Sequence, residues 1–229
     1  MAKEQPRIEK IIALCDPVEV IADIGTDHGL IAYGFLEAGK AKKAIATDIS
    51  KPSLAKAKKR FQGSAYESKV IFRLGSGFSI LEAGEANAAV IAGMGGPLII
   101  SLLETAENVV RTFSYLMLAP QSYPERVRTY LLTHQYDIME EHYVMQEEKC
   151  YVLMKVAPTE TSVSYTTEEL LLGRNVKTSP AYFAYLSGKE KETARVLKEL
   201  EHSPAHKRRA EMHHAYNIYK KALTEENER

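Results

Sequence analysis

The sequence has no tryptophan and only two cysteines, Cys15 and Cys150, in 229 residues. Neither thiol has a near partner or a histidine at metal-ligand spacing, which excludes a disulfide scaffold and a zinc module. Both read as free, buried thiols in a reducing compartment, and no metal is expected. Long apolar runs are missing too. None approaches the roughly 20 residues of a membrane span, and the opening Met-Ala-Lys-Glu-Gln-Pro-Arg leads into an amphipathic segment, not an apolar signal region. The expectation is a cytoplasmic protein without membrane contact. No charge sign dominates: 30 Lys/Arg balance 30 Asp/Glu, so net charge alone points to no polyanionic partner. There is no internal repeat, no low-complexity tract, and no Ser-His-Asp or Cys-His arrangement for nucleophilic catalysis.

What remains is ordinary in composition, 45% hydrophobic and 26% charged, and long enough for one α/β domain plus a modest appendage. Short apolar runs alternate with helical patterns, the sequence form of a βαβ array. A helix is predicted over 7–15. Strands are predicted at Val18–Ile24, Ala44–Thr47 (closed by Asp48), Val70–Leu74, Ala88–Ala92 and Tyr115–Ala119. The intervening helices run to about Ala38, from a start at Ser50-Lys-Pro52, and briefly from Gly77 to near Gly84. A long amphipathic helix opens at Pro97, and another spans about Pro124 to His134. Ile138–Met145 and Tyr151–Val156 are joined only by Gln-Glu-Glu-Lys, too short for a parallel crossover, so they form an antiparallel hairpin.

Five βα units closed by a hairpin predict a doubly wound, Rossmann-like α/β sheet with its last strand antiparallel. A Thr/Ser-rich linker from Pro158 to about Thr167 separates this domain, 1–158, from a helical one, 159–229. On that reading, a chain cut near Val163 keeps the first domain folded. Two C-terminal helices, about 181–201 and 204–224, open at Ser179-Pro180 and Ser203-Pro204. Phe183, Leu186, Leu197 and Leu200 are spaced to face Met212, Tyr216, Tyr219 and Leu223 in a helical hairpin or short coiled coil.

The strongest chemical motif is Asp23-Ile-Gly25-Thr26-Asp27-His28-Gly29, at the end of the first strand. Glycine at a strand-to-helix turn lets a ligand approach the backbone, and a helix N-terminus favours anionic groups. A dinucleotide site would want G-x-G-x-x-G around a pyrophosphate. Here Asp27 stands at the second glycine, where it would face a pyrophosphate badly but tolerate a sulfonium with a zwitterionic tail. The plain alternative is a tight turn with a capping Asp, and His28 reads as a local hydrogen-bonder. Asp48 follows the glycines by roughly 20 residues, where nucleotide folds place the acid that accepts from ribose hydroxyls. It is alternatively a helix-start acid before Lys51-Pro52.

Gly75-Ser76-Gly77 ends the third strand, where such folds meet the adenine edge, although this turn is also common in loops. Ala92-Gly93-Met94-Gly95-Gly96 ends the fourth. Its glycines make either a backbone-lined opening for a flat substrate or a flexible turn before Pro97. Lys56–Arg60 reads as a solvated helix face or as an extension of a phosphate-binding surface.

Together, D-I-G-T-D-H-G at 23–29, the acid at 48, I-A-G-M-G-G at 91–96 and the helical appendage resemble the bacterial tRNA (adenine(22)-N1)-methyltransferases over nearly the whole chain. The closing hairpin likewise resembles the seven-strand sheet of class I methyltransferases, whereas dinucleotide dehydrogenases usually end on a further parallel strand. This sequence departs from the family at Ser76, where Gly-Asp-Gly is usual, and at Ala119-Pro-Gln121, where Gln-Pro is usual. The resemblance implies S-adenosylmethionine as methyl donor, folded tRNA as substrate and adenine N1 as acceptor. It places cofactor contacts at Asp23, Gly25, Thr26, His28, Gly29, Asp48, Ile49, Ser76, Gly77, Ala92 and Gly93. Substrate contacts are expected at Met94, Gly95, Gly96 and Tyr123.

Adenine N1 attacks through an in-plane lone pair and needs no prior deprotonation, but its product stays cationic until N6 releases a proton. Asp27, projecting from the cofactor loop, is the expected catalytic carboxylate. The base must be unpaired or flipped out, and Phe78 or Tyr123 is the aromatic available to stack on it.

Other readings share parts of this pattern. A small-molecule methyltransferase has every cofactor motif but leaves a charge asymmetry unexplained. Residues 1–164 carry 18 Lys/Arg against 20 Asp/Glu, while 173–223 carry 11 against 5 plus four His. Lys189, Lys191, Arg195, Lys198, Lys207, Arg208, Arg209, Lys220 and Lys221 would hold tRNA phosphates without reading sequence. Alternatively these charges keep a hairpin soluble, meet a second protomer, or belong to a non-catalytic tRNA-binding module. A monomer is expected.

Overall fold

In the computed structural model, which describes residues 5–201 and 204–227, the apolar runs become one sheet. Its strands are β1 (Val18–Ile24), β2 (Ala41–Asp48), β3 (Val70–Leu74), β4 (Ala88–Ala92), β5 (Tyr115–Ala119), β6 (Tyr136–Gln146) and β7 (Lys149–Pro158). They lie in the order β3-β2-β1-β4-β5-β7-β6. β1 to β5 are parallel, and β7 runs antiparallel to both of its neighbours. The sheet therefore reverses its winding between β1 and β4, which opens a crevice at the carboxyl ends of those strands.

Helices cover both faces. Ile11 of α1 (Pro6–Leu14), Phe35 of α2 (Leu30–Glu37) and Phe61 of α3 (Lys51–Phe61) pack with Ile21, Val90 and Met117 on one face. On the other, Ile99 and Leu103 of α4 (Gly96–Thr105), Val109 of α5 (Glu107–Val110) and Val127 of α6 (Pro124–Thr133) cover Ile24, Ile91 and Leu118. Burial on both faces is why β4 and β5 read as unbroken apolar runs. Ser50 caps α3, its hydroxyl accepting from the Ser53 amide at 3.3 Å, with Pro52 in the first turn.

Four details differ from the sequence reading. β2 starts at Ala41, because the exposed Lys42 and Lys43 break its apolar run. No helix forms after Gly77: Arg73 reaches across that loop to the Ile80 carbonyl at 2.9 Å and to the Glu85 carboxylate, and the chain winds there in turns. The helix opened at Gly96 breaks at Ala106 (φ −135°, ψ 42°) into α4 and α5. A further helix, α7 (Thr167–Leu172), begins where the linker ends, started by a reciprocal Thr166–Glu169 capping box.

The hairpin helices α8 (Pro180–Glu199) and α9 (His206–Asn227) do not only face each other. Tyr182, Leu186, Ala215 and Tyr219 join the same apolar cluster as Tyr143 of β6 and Val127 of α6. The predicted opening of the second helix at Ser203 lies outside the described residues. No helix among the described residues is long and apolar enough to cross a membrane.

Beneath the hairpin lies a fully buried ion pair. Arg128 of α6 meets Glu141 of β6 through Nη2 to Oε2 at 2.7 Å and Nε to Oε1 at 3.0 Å. The remaining valences are met from beyond the linker. The Leu170 carbonyl accepts from Arg128 Nη1 at 2.8 Å, and the Arg174 amide donates to Glu141 Oε1 at 2.8 Å.

Candidate active site

A cavity of about 380 Å³ occupies the crevice between β1 and β4, within the usual size range for small-ligand sites. Of the residues expected to contact cofactor or substrate, Asp23, Gly25, Asp27, Asp48, Ile49, Ser76, Gly77, Ala92, Gly93 and Met94 line it. They come from the carboxyl ends of four adjacent strands. Register places them there: Asp23 pairs with Ala46 of β2 on one side and Val90 of β4 on the other.

The loop after β1 is held from below. The Gly25 and Thr26 amides donate to the Thr47 carbonyl at 2.9 and 2.8 Å, and Arg60 of α3 donates to the His28 carbonyl at 2.7 Å. Arg60 thus has a structural use within the basic run of α3. Gly25 takes φ 77°, and a Cβ there would lie 2.1 Å from the Met94 terminal methyl. The left-handed φ is what favours glycine here, and the Met94 methyl, the far end of a flexible side chain, fills the space beside it.

Asp23 is 2% exposed. Burial pushes its carboxyl up to about 6, against the Thr26 hydroxyl at 2.5 Å and the Ala32 amide at 3.2 Å, which both donate to Oδ2 and lower it. Asp48 raises it a little further. At the tip of β2, Asp48 uses Oδ1 to accept from the Ser50 amide at 2.7 Å, so its helix-start role and a ligand-facing role coexist on two oxygens. Beside it Ile49 is 74% exposed, an apolar surface with no protein covering at the cavity wall. Asp27 is solvent-facing, with His28 Nε2 at 3.5 Å from its Oδ1.

The other expected residues stand elsewhere. Thr26 is buried under the loop as a partner of Asp23. Gly29, at the start of α2, abuts Phe61 and Ala57 of α3, so its lack of a side chain serves helix packing. Gly95 precedes α4, and Gly96 lies so close to the turn after β5 that a Cβ would sit 2.7 Å from the Ser122 carbonyl oxygen. Phe78 is buried in the core beside Phe113.

Tyr123 lines a second, larger cleft of about 1080 Å³ between α6 and the helical hairpin. It is half exposed in the left-handed region (φ 53°), with the Arg126 guanidinium 4.7 Å above its ring. Arg126, Lys189, Lys207 and Arg208 give this cleft a basic lining, set against Glu125, Glu192 and Glu211. Not every appendage cation is available: Lys189 pairs with Glu192 and Arg195 with Glu199, each at 2.9 Å.

Sequence reasoning missed Gln5, Arg7 and Ile8 of the N-terminal segment, Leu98 and Leu102 of α4, and Gln121, all of which line the smaller cavity. Gln121 had a signal, since it stands two residues past β5 as Met94 stands two past β4. The α1 residues had none, because their approach is a matter of tertiary packing. Both thiols are held un-ionised by burial, Cys15 pushed up to about 12 and Cys150 to about 11, which leaves neither as a nucleophile.

Comparison with known proteins fits this geometry. Residues 4–154 match the family model described as a methyltransferase domain. The tRNA (adenine(22)-N(1))-methyltransferase of Bacillus subtilis (strain 168) is 29% identical over 171 residues, covering 75% of this chain and 72% of that one. The crystal structure of the B. subtilis m1A22 tRNA methyltransferase TrmK superposes with a TM-score of 0.85 at 21% identity, over 97% of this chain and 100% of that one. M. capricolum TrmK in complex with the cofactor product S-adenosyl-homocysteine superposes with a TM-score of 0.83 at 20% identity, over 96% and 98%. With the cavity at the winding reversal, the acid-tipped second strand and the antiparallel β7, this chain belongs to the methyltransferase domain family.

Proposed function

We propose that the protein transfers a methyl group from S-adenosylmethionine to N1 of an adenine in tRNA, at position 22 by likeness to its B. subtilis relative. The observation that carries this reading is the pairing of two recesses. A ligand-sized cavity at the strand ends and a basic, aromatic-bearing cleft open on either side of the turn after β5, where Gln121 lines the first and Tyr123 the second.

The cavity's donors and acceptors fit the cofactor. Asp48 has one carboxylate oxygen left to accept from ribose hydroxyls, and Ile49 offers a bare apolar surface to an adenine ring. Ser76 and Gly77 bound the adenine side without the usual acid, so the adenine edge is met by backbone and hydroxyl groups. Buried Asp23 is complementary to an ammonium group. When bound, S-adenosylmethionine supplies an electrophilic methyl on sulfur. The rest of the chemistry belongs to the chain.

Met94 and the flanking glycines leave a backbone-lined gap through which a flat base reaches the methyl, with its N1 lone pair in line. Asp27 accepts a hydrogen bond from N6 and stabilises the positive charge the base acquires, until N6 releases its proton. Tyr123, backed by Arg126, stacks on a base leaving the cleft, and the basic lining positions the phosphates.

The test is methyl transfer from labelled donor into unmodified tRNA transcript, with nucleosides read by mass spectrometry. The expected product is 1-methyladenosine, lost when adenine 22 is replaced by guanine. Transfer to small molecules with none to tRNA overturns the proposal.

A further inference from the structure

The buried Arg128–Glu141 pair touches neither recess, yet it stands where the walls of the larger cleft join. Both side chains are fully buried. Replacing such a pair by apolar residues of similar size often leaves a protein as stable or more so, because desolvation offsets the attraction. What two charges supply that apolar side chains cannot is direction, through contacts of fixed length along fixed lines.

Here those lines run to one segment of chain. Arg128 Nη1 donates to the Leu170 carbonyl at 2.8 Å, and Glu141 Oε1 accepts from the Arg174 amide at 2.8 Å. Between them, the Tyr143 hydroxyl accepts from Arg128 Nη2 at 3.1 Å and donates to the Leu172 carbonyl at 3.0 Å. Residues 170, 172 and 174 are thus all tied to one network. Gly173 passes so close that a Cβ would lie 3.0 Å from the Tyr143 hydroxyl and 3.2 Å from Glu141 Oε2, with φ 107°. The segment is held at a single register on β6.

These anchors reach three walls of the cleft. Arg128 lies on α6, and Tyr123 and Arg126 at the start of that helix line the cleft. Leu171, between two anchored carbonyls, lines it from α7. Tyr143 meets the rings of Tyr182 and Tyr185 of α8, each 4.9 Å between centres, and Lys189 lines the cleft one turn further along that helix. Lys207 and Arg208 face them from α9.

We propose that Arg128 and Glu141 are positioning residues for tRNA. The pair pins α7 and α8 to α6, and so sets Tyr123 and Arg126 at a fixed distance from the cations of the hairpin. The inference rests on the tRNA reading, which tRNA binding and methylation by the wild-type protein check separately.

Filter binding and steady-state kinetics on the full chain compare wild type with Arg128→Lys. Lysine keeps the charge but loses the fork, so it cannot meet Glu141 and Leu170 along both lines. The variant should bind S-adenosylhomocysteine as wild type does, while its affinity for tRNA falls roughly 3- to 30-fold, the range for a residue that acts on a site through its neighbours. KM for tRNA should rise with that loss and kcat change little, because the cofactor cavity is untouched. Tyr143→Phe keeps the ion pair and removes only the hydroxyl that links it to Leu172, so its loss should be in the same direction and smaller. Val110→Ala, in the core and lining neither recess, should lower the melting temperature and leave tRNA affinity alone. Wild-type tRNA affinity in Arg128→Lys overturns the proposal, and so does wild-type affinity in Tyr143→Phe where Arg128→Lys does not fold. Equal loss of tRNA and cofactor affinity, or an equal loss of tRNA affinity in Val110→Ala, would make the pair a support of the fold alone and overturn it too.

Discussion

Replacing Asp23 by Asn should stabilise the ligand-free protein while crippling its cofactor site. Asp23 is 2% exposed, and burial raises its carboxyl from 3.8 to about 6. Because the folded state holds the proton more tightly than the unfolded chain, stability falls as pH rises from 3.8 through 6 and then levels off. The plateau corresponds to about 3 kcal/mol of destabilisation by the buried charge. Asn keeps an oxygen to accept from the Thr26 hydroxyl and the Ala32 amide, both of which bond the same Oδ2.

The gain from Asp23→Asn should therefore grow from about 1.5 kcal/mol at pH 5 to about 3 kcal/mol at pH 7.5. At the higher pH the melting temperature should rise by roughly 6–12 °C. Thermal unfolding of the ligand-free protein across that range reads the first effect, and calorimetry with S-adenosylhomocysteine reads the loss of affinity. A variant less stable than wild type at pH 7.5, or a gain that does not change with pH, refutes the reasoning.

Asp48→Ala should weaken S-adenosylhomocysteine binding by about 1.5–3 kcal/mol through loss of a charge-assisted bond to ribose, and calorimetry should find no NAD binding to either protein. Asp27→Asn keeps the loop's shape but not its charge, so steady-state turnover on tRNA should fall far more than cofactor affinity. Equal loss of both would make Asp27 a cofactor ligand. Neutralising Lys207 and Arg208 together should reduce the slope of log affinity against log salt for tRNA by about 2, with cofactor affinity intact. A chain cut near Val163 removes the Leu170 carbonyl and Arg174 amide that complete the buried Arg128–Glu141 pair, along with its apolar cover. Leaving a buried hydrogen-bonding group unmet costs about 1–3 kcal/mol, and two are lost here together with the apolar cover, so thermal unfolding should show a much weakened fold, and an unchanged midpoint would contradict this.

Four of the strands fall where the apolar runs begin and end, because β4, β5 and the second half of β1 are buried on both faces and β3 is bounded by glycine. β2 was legible only from Ala44, since its first turn of sheet lies at the surface where Lys42 pairs with Glu19 at 2.6 Å. The helix at Thr167 did carry a local signal, Thr166 three residues before Glu169, hidden in a stretch whose composition reads as linker. The loop after Gly77 carried a misleading one, because Arg73 draws it in through the Ile80 carbonyl and the Glu85 carboxylate. The site followed the same division. Residues at strand ends were legible from spacing, whereas Arg7, Gln121 and the Arg128–Glu141 pair depend on which segments meet in space.

The two recesses are coupled through a short piece of backbone, which explains why the glycines of 93–96 are not interchangeable. Gly93 and Met94 face the smaller cavity, and the Gln121 amide donates to the Met94 carbonyl at 2.8 Å. Two residues on, the Gly96 amide donates to the Ser122 carbonyl at 2.9 Å, and Tyr123 turns out into the larger cleft. The turns after β4 and β5 are thus stitched together, with the smaller cavity on one side and the Tyr123 ring on the other. Tyr123 is held in the left-handed region, a conformation that costs a non-glycine residue about 1 kcal/mol and persists only where neighbours enforce it. A side chain at residue 96 would strike the Ser122 and Tyr123 carbonyl oxygens at 2.7 and 2.8 Å and push that turn away. The ring would then move relative to Met94 without either cavity losing a lining residue. On the proposed function, alignment of base and methyl resides in the spacing of these two turns, as much as in any side chain that touches them.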